Sequence, residues 1–99
     1  MIVVAGSIRV PEDRIYDLMP AMHDVIAATR REPGCITYSY AFDVEDRGLV
    51  RIFEEWESRA DLETHFRQPH MGPWRLKLVE VGATGRSLRI YEAAPGEPI

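Results

Sequence analysis

The chain predicts an α+β domain of order β-α-β-β-α-β, a four-stranded antiparallel sheet with helices on one face. Three observations predict it. Short β-branched or alternating stretches at residues 2–10, 35–44 and 49–57 read as strands. Two other stretches carry apolar residues at helical spacing. The two middle strands are joined only by Glu45-Asp46-Arg47-Gly48, a hairpin turn, whereas the flanking connections are long enough for right-handed helical crossovers.

Residues 2–10 (IVVAGSIRV) are β-branched and bounded by Pro11. Pro11 suits the first position of a helix, with Glu12 and Asp13 near its positive end. Ile15, Leu18, Met19, Met22, Val25 and Ile26 then make one apolar stripe. Pro20 falls opposite that stripe, so it predicts a bend around the core rather than a break. Arg30 and Arg31 suit the negative end, and Pro33-Gly34 stops the helix. In residues 35–44, Ile36, Tyr38, Tyr40 and Phe42 are expected on one face, with Cys35, Thr37, Ser39 and Ala41 on the other. The returning strand, 49–57, puts Val50, Ile52, Glu54 and Trp56 on one side. Ser58-Arg59-Ala60-Asp61 resembles a capping box with Asp in the usual place of Glu. It opens a helix that aligns Leu62, His65 and Phe66 and ends at Pro69. Met71, Trp74, Leu78 and Val81 mark another amphipathic piece. Residues 82–85 read as a loop, 87–93 as the last strand and 94–99 as a loose tail.

At 99 residues this is one domain, 1–99. So short a chain buries a modest share of its surface, and half of each strand faces away from the helices. Packing that open face on a second copy predicts a homodimer. The net charge of −4 and the absence of a basic stripe exclude nucleic acid as a partner. The apolar run at residues 2–6 is too short to span a membrane or act as a leader, so no membrane partner is expected. Cys35, the single cysteine, rules out an internal disulfide and fits a reducing cytoplasm. No phosphate-cradling glycine motif occurs.

His65 is the first candidate for chemistry. Set between Leu62 and Phe66 it should point between helix and sheet, where burial keeps an imidazole neutral and able to take a proton. A core histidine bonded to a carbonyl is the other reading. His70 lies in the bend Gln68-Pro69-His70-Met71-Gly72-Pro73-Trp74, either as a substrate contact at a cavity mouth or as a solvent-facing turn residue. His65 and His70 are five apart and do not share a face of one continuous helix, so no metal site is expected. Trp74 and Trp56 are either walls for a planar substrate or packing residues. Tyr38 and Tyr40 share a face and line either the pocket under the helices or the dimer side. Glu54, an acid on an apolar strand face, needs a partner such as an arginine; a catalytic carboxylate is the alternative. Cys35 has no evident base nearby, and His23 reads as a surface residue.

The stretch from Glu32 to Trp74, EPGCITYSY followed by a turn and FEEWESRADLETHFRQPHMGPW, resembles the antibiotic biosynthesis monooxygenase family. The likeness extends over nearly the whole chain. It implies a ferredoxin-like dimeric αβ barrel that oxidises a phenolic or quinol-type aromatic with O2 as co-substrate and no cofactor. By this resemblance His65 is the base, His70 its helper, and Trp74, Tyr38, Tyr40, Trp56 and Phe66 the substrate contacts. Haem-degrading relatives resemble one another in an Asn late in the first strand and a Trp in the later helix. This chain has Ala5-Gly6-Ser7 and His65 at those places, so haem is not expected. A non-catalytic module binding a small ligand, or an isomerase or dehydratase on the same fold, remains the alternative.

Overall fold

A computed structural model describes all 99 residues. The elements are β1 (Ile2–Arg9), a 3-10 turn (Glu12–Arg14), α1 (Ile15–Thr29), β2 (Cys35–Phe42), β3 (Leu49–Trp56), α2 (Arg59–Phe66), α3 (Met71–Val81) and β4 (Thr84–Glu92). The sheet order is β2-β3-β1-β4 and every pairing is antiparallel. This is the ferredoxin-like arrangement expected from the element order.

The helix stripe forms as spaced: Ile15, Leu18, Met22 and Val25 are buried, and Met19 and Ile26 pack beside them. Pro11 introduces a 3-10 turn rather than the first α turn, and α1 proper begins at Ile15. Pro20 is exposed, and α1 runs through it without interruption. Its missing N–H and ring therefore fall on the solvent side, where a bend is tolerated. The core is two adjoining clusters. The larger lies between α1, α3 and the sheet centre; the smaller gathers Ile2, Val4, Tyr38, Trp56 and Leu62 under α2.

Two strand expectations change. Cys35 and Thr37 face Trp56 and Glu55 on β3, so Ile36 is the extra residue of a bulge. The bulge turns Cys35 toward the small core cluster and leaves Ile36 half exposed. Beyond it the alternation resumes, and Tyr38, Tyr40 and Phe42 face the helices. The last strand begins at Thr84, inside the stretch expected as a loop, because Thr84 already pairs with Arg9 across an irregularity in β1.

The cap of α2 matters for the site. Asp61 N–H donates to Ser58 Oγ (3.1 Å), and Ser58 Oγ–H donates to Asp61 Oδ2 (2.9 Å). The shorter Asp thus closes the box onto the cap hydroxyl. Asp61 also lies against Gly34, whose φ is +81° and where a Cβ would sit 2.2 Å from the Asp61 carboxylate. Only glycine lets the turn after α1 press against the first turn of α2. Glu57 N–H donating to Gly34 O (2.9 Å) fixes the contact. This docking brings Glu32 to the helix that carries His65.

Candidate active site

His65 is 1% exposed, near the end of α2. Its ring stacks at a tilt on Trp56 (centroids 4.8 Å apart) and meets Tyr38 edge-on at 5.3 Å. Its Nδ1 lies 2.8 Å from Glu32 Oε2. A carboxylate only accepts, so Nδ1 carries the proton and Nε2 presents a lone pair. Nε2 makes no hydrogen bond inside the protein, and His65 lines a cavity of about 460 Å³. Burial lowers the His65 pKa, opposed by the hydrogen bond and charge of Glu32. The ring is therefore neutral at pH 7 and poised to accept a proton on its cavity side.

His70 takes a different place. Helix α2 ends at Phe66 and α3 starts at Met71, with Gln68 N–H donating to His65 O (3.1 Å) and Met71 N–H donating to Gln68 O (3.0 Å). The break between the two helical pieces is the one expected at Pro69. The tight turn folds His70 back so that its Nε2 also lies 2.8 Å from Glu32 Oε2, with Thr29 Oγ1 at 3.3 Å. His70 does not line the cavity; it stands behind His65 and holds the same carboxylate.

Glu32 is the residue that the sequence reading missed. Its side chain is 6% exposed, and its second oxygen, Oε1, has no partner in the protein. One signal was available: an acid just past a helix C-terminus sits against the negative end of the dipole, so it needs a compensating donor. Nothing local named His65 and His70 as those donors.

The helix-facing side of the sheet floors the cavity with Tyr38, Tyr40, Ile52 and Glu54. Trp74 and Phe66 wall it, and Trp74 meets Tyr40 edge-on at 5.6 Å. Trp56 is fully buried and outside the lining, so of its two readings packing is the one the structure places. Its indole N–H donates to Glu54 Oε1 (2.9 Å). Glu54 has this hydrogen bond in place of the expected arginine ion pair. Burial raises its pKa, against the lowering by Trp56 and by the charge of Arg86. Arg75 and Arg86, neither foreseen, bring positive charge to the cavity. Cys35 is partly buried and its thiol pKa is raised, chiefly by burial, which leaves it a weak nucleophile.

Tyr38 and Tyr40 place their hydroxyls 3.1 Å apart. Burial drives the Tyr38 pKa far upward and pushes that of Tyr40 up to about 12. A raised folded pKa means the native state holds these protons longer than the unfolded chain. Stability should therefore fall as pH rises above about 10. In a spectrophotometric titration, Tyr38 and Tyr40 should ionise only as the fold is lost. Ionisation of Tyr38 and Tyr40 near about pH 10 in a still-folded protein would contradict the buried pair.

Residues 1–75 match the family described as antibiotic biosynthesis monooxygenase. The chain belongs to this family. A curated relative, an uncharacterized protein of Synechocystis sp., is 34% identical over 93 residues, which is 94% of this chain and 63% of the relative's length. The chain thus spans less than two thirds of that relative. Among solved structures, a Deinococcus radiodurans protein named as a candidate antibiotic biosynthesis monooxygenase superposes with a TM-score of 0.92. Its sequence identity is 24%, covering 100% of this chain and 98% of that one. A conserved protein from Methanosarcina mazei gives 0.84 at 24% identity, covering 94% and 92%. At these identities the likeness is one of fold. Within the family frame the second helical region of this chain carries the Glu32-linked histidines. No helix is long and apolar enough to cross a membrane.

Proposed function

We propose that this antibiotic biosynthesis monooxygenase family member is a cofactor-independent oxygenase acting on a phenolic or quinol-type aromatic. One observation carries the reading: a buried histidine, its Nδ1 held by a buried carboxylate, turns Nε2 into an aromatic-walled cavity of small-molecule size. His65 Nε2 takes the phenolic proton. Glu32 fixes the tautomer and stabilises the imidazolium that forms. His70 is a positioning residue that holds Glu32. Trp74, Tyr40 and Phe66 orient the ring and exclude water, and Arg75 and Arg86 favour the anion. Glu54, held by the Trp56 indole N–H, sets a polar group on the cavity floor beside Tyr38 and Tyr40.

The electrons come from the substrate. The bound anion passes one electron to O2, and the radical pair joins to a peroxide. Loss of a ring proton and cleavage of the O–O bond then leave a quinone and one water, so both oxygen atoms are accounted for. The working unit is a homodimer packed through the open sheet face, where Val3, Phe53 and Tyr91 lie and where Phe53 and Tyr91 are exposed.

The test is oxygen uptake by chelator-treated protein offered hydroquinones and anthrone-type phenols. Uptake above the autoxidation blank, with one oxygen atom from ¹⁸O2 in the product and a dimer in sedimentation, is the expected result. No uptake by folded dimer would sink the oxygenase. Proton exchange without uptake would instead favour an isomerase using the same base.

A further inference from the structure

Glu32, His65 and His70 come from three separate segments: the turn after α1, the end of α2 and the cap of α3. One donor atom from each lies within 4.8 Å of the other two. Two imidazole nitrogens and one carboxylate are a donor set for divalent transition metals rather than for calcium or magnesium. A second observation points the same way. Glu32 Oε1 is buried without any hydrogen-bond partner, while Oε2 receives both histidines. Buried carboxylate oxygens are costly to leave unmatched. A cation inside this triangle would engage the carboxylate in a way that two N–H groups on one oxygen do not.

We propose that Glu32, His65 and His70 form a binding site for a divalent transition-metal ion of the zinc class. The ligand atoms are His65 Nδ1, His70 Nε2 and the Glu32 carboxylate. The present 2.8 Å contacts must open modestly, since bonds of about 2.0–2.2 Å separate tetrahedral donors by ~3.4 Å. Thr29 Oγ1, 3.3 Å from His70 Nε2, is the neighbouring oxygen for a fourth position or for a water there. The ion replaces the two protons that now bridge to Oε2. Each proton moves to the far nitrogen of its own ring, so none is gained or lost and no oxidation state changes.

The site stands directly behind the cavity. A ring metallated at Nδ1 carries its proton at Nε2, so loaded His65 presents a donor to the cavity in place of a lone pair. Metal loading would then switch off the base. That consequence rests on the base role proposed above; the metal site does not.

The experiment needs no substrate. Chelator-treated protein with ¹⁵N-labelled histidine is titrated with zinc chloride, and binding is followed by calorimetry and by ring-nitrogen spectra. The chain has three histidines, which makes assignment direct. One equivalent should bind, with His65 Nδ1 and His70 Nε2 shifting and His23 unmoved. Groups that merely orient a ligand are worth roughly 10–100-fold in affinity, so Glu32→Gln should weaken binding by more than roughly 100-fold. Absence of stoichiometric binding overturns the site. So does binding that moves only His23, or that survives unchanged in folded Glu32→Gln. The wild-type spectra decide even if the variant does not fold. A failed zinc titration leaves oxygen uptake by metal-free protein intact, so the two readings fail separately.

Discussion

Gly6→Val should remove more than about 3 kcal/mol of stability and lower the unfolding midpoint by more than about 10 °C. Gly6 sits mid-way along β1, paired with Ile52 on β3 and Leu88 on β4. A Cβ there would lie 1.7 Å from Ser87 O and 2.9 Å from Leu88 Cα, both main-chain atoms. No rotamer relieves a clash with backbone. Either β4 moves away and its pairing with β1 is lost, or β1 distorts at the centre of the sheet. A domain of this size is stable by only about 5–15 kcal/mol, so the variant should be partly unfolded at body temperature. Circular dichroism during heating and in urea measures it. A midpoint within about 2 °C of wild type would mean that β4 yields freely and that the close approach is not needed. Gly6→Ala should act in the same direction, because the first carbon already makes the clash.

Glu32→Gln should lower kcat by roughly 100-fold or more, with KM changed far less. The substitution keeps the volume and removes the charge. Glutamine cannot stabilise an imidazolium as a carboxylate does, and its amide can turn an N–H toward Nδ1, which moves the ring proton to Nε2 and blinds the base. His65→Ala should abolish turnover altogether. It should also cost ~2–4 kcal/mol, because it opens a void beside Trp56 and takes away a hydrogen-bond partner of Glu32. Turnover with KM raised and kcat intact would assign Glu32 to substrate binding instead. Full activity in both variants would remove the dyad from the mechanism.

The fold was legible because its signals are local. A β-branched run, a helical stripe, an alternating pair of strands and a Pro-Gly stop each act within a few residues, and their order leaves few topologies. The Ile36 bulge was not legible. Period-two alternation assumes an unbroken ladder, and one inserted residue exchanges the faces of Cys35 and Ile36 while leaving the pattern in the text unchanged. His65 was visible because its apolar neighbours on α2 announce burial. Glu32 was hidden for the opposite reason: it is a charged residue in a turn, next to two arginines, and only the docking of Gly34 on Asp61 carries it inside. The bend between α2 and α3 was legible from Pro69, but the direction in which it turns His70 was not. Spacing rules place side chains along one helix and say nothing of a shared partner such as Glu32 across a turn.

The outer strand β4 supplies the side of the cavity formed by Thr84, Gly85, Arg86 and Leu88, yet every one of its residues except Leu88 is exposed. It bonds to β1 along one side only. Segments with few buried apolar contacts and solvent-facing amides open at far lower free energy than the whole domain. In a single copy, the wall that admits a ligand is thus also the first part of the sheet to breathe. Amide exchange should run fastest along that strand and slow when the cavity is filled.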